Sequence, residues 1–261
     1  MRFVKGHGTG NDFVIVADVD NDRPLSVAAI ARLCDRRRGV GGDGLLRVVR
    51  AAKHPDGVGQ AAAAEWFMDY YNADGSIAEM CGNGVRVFVR YLVAEGLVET
   101  NRVPVATRAG VRDVLVENDQ FSVDMGAART FGTSTVAIGG EILSGRHISM
   151  GNPHLVCRVT DPTEYDLTVQ PEFDTELFPT GVNVELTSPT DTGVRMRVHE
   201  RGVGETQSCG TGACAVAVDA LGGPGTCTVD VPGGRLTVTI TEETVILTGP
   251  AVLVAEGHTL V

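Results

Sequence analysis

Short runs rich in Val, Thr and Ile, bounded by Gly, Asn, Asp or Pro, recur along most of the chain. They predict strands over 13–16, 45–50, 65–71, 103–108, 112–117 and 121–125. A second series falls at 147–150, 154–160, 182–186, 194–199, 226–231, 235–241, 244–248 and 251–255. Helical spacing is confined to three segments. Residues 27–37 follow a capping Ser26, with apolar Val27, Ile30, Leu33 and Cys34 on one face. Arg36, Arg37 and Arg38 then fall at the helix end, where cations suit the dipole and a solvated role is expected. Segments 85–95 and 213–221 differ from the first, being apolar on nearly every face. A helix of that kind must be surrounded by protein. With so many strands available, a curved sheet around each helix is the simplest expectation.

The two buried helices expose an internal repeat. Each is preceded by the same pattern, Cys81-Gly82-Asn83-Gly84 and Cys209-Gly210-Thr211-Gly212. Upstream, Gly10-Asn11-Asp12-Phe13 matches Gly151-Asn152-Pro153-His154, and more weakly Gly39-Val40 matches Gly181-Val182. Asn11 and Asn152 stand 141 residues apart, Gly39 and Gly181 142, but Cys81 and Cys209 only 128. The first copy therefore carries an insertion, for which the low-complexity residues 51–64 (AAKHPDGVGQAAAA) are the candidate, expected as a mobile loop. The fold expectation is α+β. Two pseudo-symmetric duplicated domains, 1–125 and 126–249, each wrap a curved mixed or antiparallel sheet around a central helix. The last strand, about 250–261, is a candidate to return to the first domain.

Composition narrows the function. The 261 residues carry 22 Lys plus Arg against 33 Asp plus Glu, a net charge of −11. Nucleic acids and anionic membranes select basic surfaces, so neither is expected as a partner. No apolar run approaches the roughly 18 residues of a membrane helix, and the N-terminus lacks a secretory signal pattern. Six cysteines are too sparse for a disulfide scaffold. The expectation is a cytoplasmic protein with reduced thiols. A zinc site is not expected, because no Cys-x-x-Cys occurs. Cys34, Cys157, Cys214 and Cys227 lie in apolar segments and read as core residues. His54, His147 and His258 read as surface or strand residues, and His199 as a neighbour of Glu200.

A Cys-Gly-x-Gly at a helix start places a thiol beside unpaired backbone N–H groups. These favour thiolate and can hold a carboxylate. Two such sites facing one ligand suit inversion of a stereocentre, with a base on one face of a carbon and an acid on the other. A thiol redox protein and a non-catalytic amino-acid binder remain as readings of a different class.

These motifs resemble the diaminopimelate epimerase family. The opening His7-Gly8-Thr9-Gly10-Asn11-Asp12-Phe13 is similar to its N-terminal signature. Tyr71-Asn72-Ala73-Asp74-Gly75-Ser76, leading to Cys81, is similar to the surroundings of its first catalytic cysteine. Gly181-Val182-Asn183-Val184 and Glu200-Arg201-Gly202-Val203-Gly204-Glu205-Thr206, leading to Cys209, resemble the second half. The resemblance implies a cofactor-independent isomerase of LL- and meso-diaminopimelate, in lysine and peptidoglycan precursor synthesis, working as a homodimer. It implies Cys81 and Cys209 as acid/base thiols. Gly82, Asn83, Gly210 and Thr211 would hold the reacting carboxylate. Asn11, Asn72, Asn152, Asn183 and Arg201 would bind the other polar groups. His154 and Glu200 would tune the thiols or orient the substrate. Proline racemase-like enzymes also use two cysteines and are the alternative on another amino acid. In one place the chain departs: the family often has Gln after Gly-x-Asp, where Gly44 stands here.

Overall fold

The computed structural model describes residues 1–260, which divide into two compact units, 1–123 with 249–260 and 124–248. The first unit contains β1 (Arg2–Gly8), β2 (Asn11–Ala17), α1 (Val27–Cys34), β3 (Gly44–Arg50), β4 (Trp66–Asn72), α2 (Gly82–Ala94), β5 (Arg102–Thr107), β6 (Gly110–Glu117) and β7 (Gln120–Asp124). The second contains β8 (Arg129–Ile138), β9 (Glu141–Ser149), β10 (Pro153–Arg158), β11 (Glu172–Phe173), β12 (Asn183–Thr190), β13 (Gly193–Glu200), β14 (Gly204–Thr206), α3 (Gly210–Leu221), β15 (Gly225–Val231), β16 (Gly234–Ile240) and β17 (Val245–Pro250). The final strand, β18 (Val252–His258), pairs with β1 of the first unit.

Strand order makes the duplication explicit. In the first unit β18, β1, β2, β3, β4, β5, β6 and β7 lie side by side, parallel only at β2/β3 and β4/β5. In the second, β8, β9, β10, β12, β13, β15, β16 and β17 repeat that alternation, parallel only at β10/β12 and β13/β15. Each sheet curls around its helix. α2 touches strands from β18 to β6, and α3 touches strands from β9 to β16. The surrounded helices are buried along nearly their whole length, as their all-round apolar character requires. Gly222, at φ +66°, closes α3 in the left-handed conformation that favours glycine. Each sheet's outer face is also covered. In the first unit Ile30, Leu33 and Cys34 of α1 pack on Val14, Val16 and Leu45. In the second the cover comes from a long connection, whose Leu167 and Phe178 pack on Leu155, Val184 and Leu186. Full burial of each such side chain contributes about 1.5–3 kcal/mol.

Several expectations need correction. β1, β8 and the short β11 and β14 are absent from the sequence reading. The first half of β8 is exposed and interrupted by Gly132, so it has no period-two apolar signal. α1 ends at Cys34 rather than residue 37, because the Asp35 carboxylate accepts the N–H groups of Arg37 and Arg38 and turns the chain. α2 and α3 begin three residues earlier than expected, each directly after its cysteine. The insertion, residues 51–64, is not a bare loop. It holds two 3₁₀ turns, Ala51–Lys53 and Val58–Gln60, and buries Ala51 and Ala64 against Phe67 and Ala106. His54 is no surface residue either. It is buried and stacked on Phe67 at 4.3 Å between ring centroids. Burial, the largest influence, pushes its pKa down and favours the neutral ring. Among the described residues no helix is long and apolar enough to cross a membrane.

Candidate active site

Each cysteine of the repeat is the N-cap of its buried helix. Cys81 has extended backbone (φ −143°, ψ 124°), and its sulfur accepts the Gly84 N–H at 3.5 Å. Cys209 is extended likewise (φ −118°, ψ 116°). The next two residues, Gly82 and Asn83 or Gly210 and Thr211, open the helix. Their N–H groups lie beyond the reach of intrahelical carbonyls.

The same small assembly surrounds each sulfur. In the first unit Asn11, at the β1–β2 turn, accepts from Cys81 Sγ at 3.6 Å and from Asn83 Nδ2 at 3.3 Å through its Oδ1. Its own Nδ2 donates to Asp43 at 2.8 Å. In the second unit Asn152, at the β9–β10 turn, donates from Nδ2 to Thr211 Oγ1 at 3.3 Å. Thr211 Oγ1 lies 3.5 Å from Cys209 Sγ. Each asparagine thus meets the residue two places after its cysteine.

Charge around the two thiols differs. On the Cys81 side, Arg36 bridges Asp12 at 2.6 Å and Asp43 at 2.7 Å while its side chain stays exposed, as expected beyond the helix end. Burial alone would raise Asp12, but hydrogen bonds from Arg36 and Lys5 prevail and hold it well below the usual carboxylate range. Around Cys209 the neighbours are acids. Cys209 is only 5% exposed, and burial first, then the Glu200 and Glu185 carboxylates, push its pKa well above the ordinary thiol value. Glu200 is pushed up too, chiefly by burial, with hydrogen bonds from Thr206 (2.5 Å) and Cys209 opposing.

His154 is fully buried, with Nδ1 2.6 Å from Glu185 Oε1 and Nε2 3.1 Å from Asn152 Oδ1. Asn183 is occupied by main chain, donating to Pro153 O at 2.9 Å and accepting from Arg201 N at 3.0 Å. The Arg201 guanidinium reaches Thr180 Oγ1 at 3.1 Å on the exposed surface. Asn72 is exposed and donates to Ser76 at 3.0 Å, ordering the turn ahead of Cys81. His199 is buried on Leu167 O at 2.8 Å. Sequence reasoning missed Asp43, Glu185 and Arg86. Arg86 is fully buried in α2 and binds Thr9 Oγ1 at 3.3 Å and Pro250 O at 3.4 Å. For Glu185 the signal was weak: an acid between Val184 and Leu186, in a strand that also holds Asn183, Thr187 and Ser188.

Gly44 has a steric reason. It faces Phe13 in the parallel ladder and Asn72 in the antiparallel one. A Cβ there would stand 2.6 Å from Tyr71 O and 2.8 Å from Tyr70 Cε2. The family's frequent Gln does not fit this strand arrangement. Gly44→Gln is expected to lower stability by about 1–3 kcal/mol in urea titration, without tightening substrate binding. An unchanged midpoint would show that β4 yields freely.

The sequence model for diaminopimelate epimerase matches residues 3–131 and 146–254. Relatives named diaminopimelate epimerase include those of Mycolicibacterium smegmatis (49% identity, 99% of this chain and 96% of the relative), Streptomyces coelicolor (54%, 99% and 95%) and Thermobifida fusca (52%, 98% and 97%). Among solved structures, a phenazine biosynthesis protein of Bacillus anthracis aligns at TM-score 0.74 with 18% identity, covering 100% of this chain and 99% of its own. A hydroxyproline epimerase of Agrobacterium vitis aligns at TM-score 0.68 with 14% identity, covering 98% and 90%. At such identities the structural likeness establishes the duplicated fold alone. The full-length sequence matches go further: the chain belongs to the diaminopimelate epimerase family.

Proposed function

We propose that the protein interconverts LL- and meso-diaminopimelate by a two-thiol proton transfer without a cofactor. One thiolate takes the α-proton, and the other cysteine's thiol delivers a proton to the opposite face of the same carbon. One proton enters the first sulfur and one leaves the second, so thiol and thiolate exchange places each turnover. The N–H groups of Gly82, Asn83, Gly210 and Thr211 hold the α-carboxylate as charge builds on it. Asn11, Asn72, Asn152, Asn183 and Arg201 bind the remaining polar groups, and His154 and Glu200 act on the thiols.

The observation that carries this reading is the paired cysteine cap, one in each half of a duplicated fold, on a chain of this family. The acidic, buried setting of Cys209 supports its being the thiol in the free protein. Residues 1–125 with the last strand, and 126–249, form the two catalytic halves, and family resemblance adds a homodimer. Incubation with LL-diaminopimelate in D₂O is the test. The expected result is meso product with deuterium at the inverted α-carbon. Product without deuterium, or no product, counts against the reading.

A further inference from the structure

The two halves share a topology but differ under their helix N-termini. By ladder register Phe13 faces Gly44 as His154 faces Asn183, so Phe13 and Leu46 of the first half correspond to His154 and Glu185 of the second. All four are fully buried. In the first half a Cβ on Gly84 would make ordinary 3.5 Å contacts with Cys81, Leu46 and Phe13. In the second, a Cβ on Gly212 would strike Glu185 Oε1 at 2.7 Å and lie 3.4 Å from Cys209 Sγ. One thiol therefore sits over an apolar pair and the other over a buried acid and imidazole.

A buried ion pair is rarely more stabilising than an apolar pair of similar volume, and the first half folds with the apolar pair. Stability alone does not account for the difference. Glu185 also does little else for the fold. Its Oε2 has no hydrogen-bond partner among the described residues, and its Oε1 serves the ring at 2.6 Å.

We infer that Glu185 is a positioning residue for the proposed proton transfer: it holds the His154 ring, which through Asn152 and Thr211 aligns the Cys209 sulfhydryl. The inference rests on the reading of Cys209 as an acid/base thiol. Each link has a donor. His154 Nε2–H donates to Asn152 Oδ1 at 3.1 Å, Asn152 Nδ2 donates to Thr211 Oγ1 at 3.3 Å, and that hydroxyl meets the sulfur at 3.5 Å. With Nε2 committed as donor, the Glu185 contact holds one proton, on Nδ1 or on the carboxyl, and the pair is net neutral either way. The Thr211 hydroxyl has one proton and two lone pairs. It accepts from Asn152 and can donate to the Cys209 sulfur as thiol or thiolate, which leaves the thiol hydrogen for Glu200 and suits a reversible enzyme.

The test uses Glu185→Gln, His154→Gln, their double variant, and His154→Phe/Glu185→Leu, which copies the first half. Glu185→Gln is expected to lower kcat by up to ~10²-fold, the scale of a misplaced catalytic group, with KM within about 2-fold. The double glutamine variant should be no slower than His154→Gln, because the two residues act in series. The Phe/Leu variant should unfold in urea no earlier than the parent and yet show the same loss of kcat. Folded Glu185→Gln with parental kcat, losses that multiply in the double variant, or failure of both Glu185→Gln and the Phe/Leu variant to fold would each overturn the inference. Cys209→Ser separates the two claims. If it retains turnover, the thiol reading itself falls; if it is inactive while Glu185→Gln is normal, only the role of Glu185 falls.

Discussion

Replacing Cys81 or Cys209 by serine is expected to reduce epimerisation by at least ~10²–10⁴-fold, the usual worth of a positioned acid or base. A serine hydroxyl has nearly the same shape but is a far weaker acid, so it neither takes the α-proton nor gives one up at neutral pH. Each cysteine ends a helix as its N-cap, a place where serine is itself favoured, so both variants should keep their fold. Exchange in D₂O sharpens the result. A variant with one working thiol should still exchange the α-hydrogen of the isomer that faces that thiol, and return it without inversion. Following deuterium by NMR and configuration by chiral chromatography, for each isomer separately, assigns a face to each sulfur. Parental turnover by either variant would remove that residue from the mechanism.

The largest stability loss is expected at Asp69, which is fully buried on β4. Its carboxylate accepts from Arg47 Nε at 2.7 Å, Arg108 Nη2 at 2.5 Å and the Tyr71 hydroxyl at 3.0 Å. Arg47, itself buried, also pairs with Asp18 at 2.7 Å. Asp69→Ala removes the carboxylate shared by two guanidinium groups, leaving only Asp18 for Arg47 and Asp56 (2.8 Å) for Arg108, at a cost of about 3–5 kcal/mol. The denaturation midpoint should fall accordingly, and Arg47→Ala/Asp69→Ala should lose less than the sum of the single changes. Arg108 also donates to Tyr70 O at 3.1 Å and Ala78 O at 3.4 Å, on the segment leading to Cys81. Activity should therefore decline in Asp69→Ala even where the protein remains folded. A loss below ~1 kcal/mol would put this network on a par with exposed ion pairs.

The sequence by itself determined the duplication, the two surrounded helices and the cysteine at the head of each. These depend on local rules. All-round apolar character demands enclosure, and a Cys-Gly-x-Gly before a helical run marks a helix start with room for close approach. The parallel and antiparallel ladders repeat in both units, and each cysteine caps its enclosed helix. Partner choice across long separations was decided only by the tertiary structure. Parallel pairing of β10 with β12 brings Glu185 to His154, 31 residues away in the chain. The β2/β3 and β10/β12 ladders equate Gly44 with Asn183, three residues out of step with the match of Gly39 to Gly181. The ladders likewise place Tyr70 and Tyr71 where a side chain on residue 44 would go. Burial and backbone conformation are written in each residue and its near neighbours, whereas strand register emerges only when distant segments satisfy one another's hydrogen bonds and packing.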